Sequence, residues 1–106
     1  ALHSLGASDG MWDWNLRTDE FYVSPRWKEM LGYGTRDFWP TPEEWFGLVE
    51  AADLPNLRAK IQRHLAGEDE VLEAEYRTRA ADGSWRWMLT RALATRNAQG
   101  EATRLV

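Results

Sequence analysis

Leu72-Glu73-Ala74-Glu75-Tyr76-Arg77-Thr78-Arg79, followed by Ala81-Asp82-Gly83-Ser84 and the run from Trp85 to Arg96, is the stretch whose reading decides the fold. Leu72, Ala74, Tyr76 and Thr78 alternate with Glu73, Glu75, Arg77 and Arg79, which is the period of two of a half-buried strand. Asp82-Gly83 is a hairpin signal, because glycine accepts a positive φ without steric cost. Trp85 to Arg96 is the longest strand candidate. Trp85, Trp87, Leu89 and Leu93 share one of its faces, and Met88, Ala92 and Ala94 share the other. An antiparallel sheet with one wet face alternates cleanly, so apolar residues on both faces predict that both are covered. We expect Trp87 to join Tyr76 beneath the helices. Met88, Ala92 and Ala94 are then a self-association face, covered by a second copy or by an N-terminal helix ending near Leu2 and Leu5.

Asn97-Ala98-Gln99-Gly100 makes another turn, and Glu101 to Val106 alternates as a final strand. At the other end, Met11-Trp12-Asp13-Trp14-Asn15-Leu16 alternates with Trp12, Trp14 and Leu16 on one face. A polar turn, Arg17-Thr18-Asp19-Glu20, leads to Phe21-Tyr22-Val23, a short run of β-formers. Between these strand regions the period changes. Ser24-Pro25 is a helix start, with Trp27, Met30 and Leu31 at helical spacing and Gly32 as the stop. Thr41-Pro42-Glu43-Glu44 opens a second helix carrying Trp45, Phe46, Leu48 and Val49. Asp53 is expected to cap the third and longest, Leu54 to Ala66, whose stripe is Leu54, Leu57, Ile61 and Leu65. The order β-β-α-α-α-β-β-β predicts an α+β domain, a five-stranded antiparallel sheet with helices on one face.

The chain has 106 residues, 43% hydrophobic and 28% charged, which suits one soluble domain. A net charge of −4 argues against a nucleic-acid partner, which usually meets a basic face. With no cysteine, disulfides, thiolate metal sites and thiol nucleophiles are excluded. No apolar run approaches the roughly 20 residues of a membrane span, so direct membrane contact is not expected. Residues 1–8 read as the end of a flanking helix or a linker, and 9–106 as the core. The missing initial Met and a last strand that stops without a turn read as a module cut from a longer protein, and a start with no signal-peptide pattern and no membrane span leaves a cytoplasmic module as the expectation. Seven tryptophans imply a thick core, a ligand pocket or a buried partner face.

Four stretches together resemble the bacterial PAS domain with its PAC-like strands. They are Gly10 to Leu16, Ser24 to Tyr33, Glu75-Tyr76-Arg77, and Asp82-Gly83-Ser84-Trp85-Arg86-Trp87. Two departures stand out. Glu50-Ala51-Ala52-Asp53 replaces a His-Pro-Asp-Asp-like segment and keeps only its last Asp. An Asp-Ile-Thr-like signal to a following domain would lie beyond Val106. The resemblance implies a sensory or dimerisation module beside an output domain, typically a histidine kinase or a cyclic-dinucleotide enzyme. It implies a homodimer, and a small-molecule ligand on a concave face lined by Trp27, Leu31, Trp45, Leu57, Ile61, His64, Tyr76 and Trp87.

The resemblance also raises two cofactors against an expectation of none. Haem would use His64, at the edge of the third helix's stripe, where a histidine also suits the helix dipole. A redox flavin would stack among Trp27, Trp45 and Trp87; cysteine-adduct photochemistry is excluded. No metal box is expected, since His3 and His64 stand alone. The carboxylate pairs Glu43/Glu44, Asp69/Glu70 and Glu73/Glu75 fall in helix starts or on outward strand positions, so catalysis is not expected. The rival is a cone-shaped α+β binding protein or enzyme with an aromatic pocket, which would need an inward carboxylate such as Asp13.

Overall fold

The computed structural model describes residues 10–34 and 40–106. Strands β1 (Trp12–Asn15) and β2 (Phe21–Val23) pair antiparallel, with Trp12 opposite Val23 and Trp14 opposite Phe21. Helix α1 (Pro25–Met30) starts on Ser24, whose hydroxyl accepts the N–H of Trp27 at 3.1 Å and that of Met11 at 2.9 Å. One cap thus satisfies a helix donor and pins the helix to the start of β1. The two approach closely at Gly10, where a Cβ would lie 2.8 Å from the Trp27 Cα. Only glycine fits there.

Helix α2 (Pro42–Leu48) carries a complete capping box, Thr41 accepting from Glu44 N–H at 3.1 Å and Glu44 accepting from Thr41 N–H at 2.8 Å. Helix α3 (Leu54–Leu65) corrects an expectation. Asp53 occupies its cap position, but its side chain makes no cap hydrogen bond. Pro55, in the first turn, has no N–H to offer, and the carboxylate turns instead to Arg77.

Strand β3 (Leu72–Arg79) pairs with β4 (Trp85–Ala92) from Leu72 opposite Ala92 to Arg79 opposite Trp85. The expected single strand to Arg96 is divided at Leu93, so β5 (Ala94–Arg96) is separate, and the described residues form six strands where five were expected. Leu93 exchanges both backbone hydrogen bonds with Val106, at 3.0 and 3.2 Å, so the chain leaves β3 at Ala92 and takes a new partner. β5 then pairs with β6 (Ala102–Leu105), giving the order β2-β1-β6-β5 beside β3-β4. The α+β class and the helices on one side agree with the sequence.

The core lies between helices and sheet, around Trp45. Its indole stands 5.0 Å from Trp12, 5.3 Å from Phe21, 4.9 Å from Phe46 and 6.3 Å from Tyr76, centroid to centroid. Trp27, Leu31, Leu57 and Ile61 close the same cluster. Replacing Trp45 with Ala should destabilise the fold by about 3–5 kcal/mol, as for other large buried aromatics. Urea denaturation measures this; a loss under about 1 kcal/mol would mean that the indole does not organise the core.

Candidate functional site

Seven of the eight expected pocket residues are brought together. Trp27, Leu31, Trp45, Leu57, Ile61, His64 and Tyr76 are all buried on the helix side of the sheet. Trp87 is a correction: it is 67% exposed on the opposite face. The hairpin register explains this. Arg77 lies opposite Trp87 and Tyr76 opposite Met88, so Trp87 shares the outward row of the charged residues. For the same reason Met88 and Ala92, expected on a self-association face, are buried in the core, and Ala94 packs partly against it. Leu2 and Leu5 lie outside the described residues.

His64 is not arranged for haem. Its Nδ1–H donates to the Asp69 carbonyl at 2.9 Å, and its Nε2 accepts the Ala94 N–H at 3.0 Å. Iron would need the lone pair that Ala94 already holds. The flavin arrangement does not form either, since Trp87 is on the far side of the sheet from Trp27 and Trp45. The Tyr76 hydroxyl meets Thr90, and burial pushes this phenol up to about 12, against the smaller pull of the Thr90 and Trp45 side chains. The Trp45 indole N–H approaches the phenol without forming a hydrogen bond, and the Thr78 hydroxyl is likewise buried without a partner. Asp13 does not supply an inward carboxylate: it accepts from Arg104 Nε at 2.8 Å and is part-exposed. Among the described residues, no group of three or more His, Cys, Asp or Glu could hold a metal ion.

Among the described residues, the outer face of the β3–β4 hairpin carries an exposed apolar row. Trp85, Trp87, Leu89 and Leu93 run along it, with Val106 paired beside Leu93. Arg79 lies over the Trp85 ring at 4.4 Å and Arg77 over Trp87 at 5.4 Å, cation–π contacts that hold both indoles in place. Across from them β3 presents Glu73, Glu75, Arg77 and Arg79, two acids and then two bases.

Arg77 also carries an edge clamp that sequence reasoning missed. Asp53 Oδ2 accepts Arg77 N–H at 2.8 Å and Nε–H at 2.9 Å, and Oδ1 accepts from the guanidinium at 2.9 Å. Glu50 adds an ion pair at 2.9 Å, its backbone N–H donates to the Arg77 carbonyl, and Val49 bridges Thr78. The exposed edge of β3 is covered this way. The available signal was Pro55, which frees Asp53 from capping.

A family model described as the PAS fold matches residues 20–106, and the chain belongs to this family. It is similar to the sensory box histidine kinase/response regulator of Burkholderia thailandensis E264, with a TM-score of 0.77 and 33% identity, covering 91% of this chain and 70% of that one. The N-terminal domain of a diguanylate cyclase with a PAS/PAC sensor from Marinobacter aquaeolei gives 0.73 and 26%, covering 89% and 85%. An RNA-binding light-oxygen-voltage receptor gives 0.75 and 21%, covering 93% of this chain and 28% of that chain, a likeness of fold alone. No curated protein sequence matches. The chain is therefore a PAS module of the kind found in sensory signalling proteins. No helix among its described residues is long and apolar enough to cross a membrane.

The clamp has a pH signature. Side-chain and backbone hydrogen bonds from Arg77 hold the Asp53 carboxyl down to about 2. A folded-state value lowered below the unfolded one stabilises fully above about pH 4 and is lost as pH falls toward about 2. Asp53→Asn should melt below the parent at about pH 7, and the gap should close toward about pH 2. Thermal melts across that range check it; a gap independent of pH would remove the carboxylate from the clamp.

Proposed function

We propose that this chain is a non-catalytic, cytoplasmic sensory relay module linked to an output domain, a histidine kinase or a cyclic-dinucleotide enzyme, and that it works as a homodimer through the outer face of its sheet. The exposed Trp85, Trp87, Leu89 and Leu93 carry this reading. Apolar surface of that kind, rimmed by charge, marks an interaction site. The order of charges on β3 favours a second copy as its occupant. A two-fold axis across the strands, between Glu75 and Arg77, sets Glu75 against the partner's Arg77 and Glu73 against the partner's Arg79. The same operation sets Trp87 against the partner's Leu89. Each acid then meets a base, and the patch complements itself as an isologous interface requires.

Two of the similar structures support the signalling context, a histidine kinase/response regulator and the N-terminal domain of a diguanylate cyclase. The buried, unpartnered Thr78 hydroxyl and Trp45 indole N–H favour a second reading, a small polar ligand held in the core. Native mass spectrometry beside denaturing mass spectrometry separates the two, since a ligand adds a mass that denaturation removes.

Sedimentation equilibrium should show a dimer at micromolar concentration. Trp87→Glu should weaken it at least about 30-fold, the weight of a hot spot of ~2 kcal/mol. Glu73→Arg and Arg79→Glu should each weaken it, and the double variant should recover it. A chain that stays monomeric at hundreds of micromolar, or a double variant no better than the singles, overturns this pairing.

A further inference from the structure

His64 joins three segments on the side of the sheet away from the apolar face. It stands in the last turn of α3 and is 4% exposed. A backbone N–H can only donate and a carbonyl can only accept. Nε2 therefore accepts from Ala94, and Nδ1 carries the hydrogen given to Asp69. The neutral Nδ1–H tautomer is the form of the ring that satisfies both. Arg96 reinforces the junction. Its guanidinium donates to the carbonyls of His64 and Leu65 at 3.0 and 3.2 Å, and to that of Gly100 at 3.0 Å. The end of α3, the division between β4 and β5, and the turn before β6 thus close on two side chains.

We infer that His64 is a proton-operated clasp between α3 and the sheet. A proton taken from solvent by the Nε2 lone pair leaves the ring with one positive charge and an N–H aimed at the Ala94 N–H. The hydrogen bond to Ala94 is lost, and two donors face each other. Imidazole is the side chain whose charge ordinarily changes between about pH 5 and 8, and the backbone amide cannot exchange roles. The charged groups on the surrounding segments are Arg96 on β5, Lys60 and Arg63 on α3, Glu68, Asp69 and Glu70 in the loop after it, and the Glu73–Arg91 pair across β3 and β4. The Asp69 carboxylate is held by Arg63 at 3.1 Å, and Arg96 sits on the histidine's own carbonyl. Both ring nitrogens meet backbone, so no carboxylate receives the second imidazolium proton. Ala94 lies opposite Leu105, so release at Ala94 is delivered to β6. This device is independent of what covers the outer face.

The test is a pH titration of the intact chain by NMR from about pH 8 to about pH 5. Long-range proton–nitrogen spectra report the tautomer and charge of His64, and amide exchange reports Ala94. The ring should begin as the Nδ1–H tautomer. As it protonates, the protection factor of Ala94 should fall at least about tenfold, the weight of a buried hydrogen bond, while that of Met88 holds. His64→Gln, which keeps one donor and one acceptor and does not titrate, should leave Ala94 protection flat across the range. The clasp is overturned if the ring protonates without loosening Ala94, if it stays neutral to about pH 5, or if the Gln variant loosens with pH as the parent does. Should that variant fail to fold, the parent titration decides alone.

Discussion

Arg79 lies opposite Trp85, and the rest of the molecule follows from that register. A slip of one residue in a strand pair would turn every side chain to the other face. With this pairing, Tyr76, Met88, Thr90 and Ala92 enter the core, and Trp85, Trp87 and Leu89 are left outside with the charged row of β3. The interior can afford this because α2 and the first hairpin supply its bulk. Trp45, Phe46, Trp12 and Phe21 fill the space that a sheet-borne tryptophan would otherwise occupy.

Three arginines tie the helical layer to the sheet. Arg86 donates to the Met30 carbonyl at the end of α1 at 2.9 Å, and Arg96 does the same service for α3. The Met30 and Leu65 carbonyls are end-of-helix acceptors that these cations satisfy, the His64 carbonyl also accepts the Gly67 N–H, and the cations complement the dipole. Arg77 fixes the segment before α3 through Asp53 and Glu50. These contacts are charge-assisted and partly directed by the planar guanidinium, which a lysine could not reproduce. The helices are thus keyed to the sheet at their ends as well as packed along their length.

Much of this was legible in the residues. Ser24-Pro25 and Thr41-Pro42-Glu43-Glu44 announced two helices because caps are local chemistry, and both caps formed. The alternation of β3 was equally clear, since its outward row is entirely charged. The face of β4 was harder. Both its rows are apolar, so periodicity cannot choose between them, and the bulk of Trp87 argued for the core. Hairpin register decides the matter, through a charged partner six residues before Trp85. The division at Leu93 was hidden as well, because it depends on a backbone exchange with Val106 at the far end of the chain. His64 lies at the edge of its stripe in the sequence, but its hydrogen-bond partners are backbone groups that no motif records.

Arg77 touches both layers of the fold. One guanidinium holds Asp53 and Glu50 at the start of α3 and lies over the ring of Trp87 on the outer face. Whatever rests on Trp87 therefore meets a cation already committed to the helical layer. In the dimer proposed above, a partner that fixes the ring would constrain α3 through this cation, and a change that moves α3 would alter the support of the ring. Such coupling is reciprocal by thermodynamic necessity and transmits only as much as the two arrangements differ in contact free energy. Close-packed side chains of such an aromatic interior shift between discrete packings and do not yield continuously.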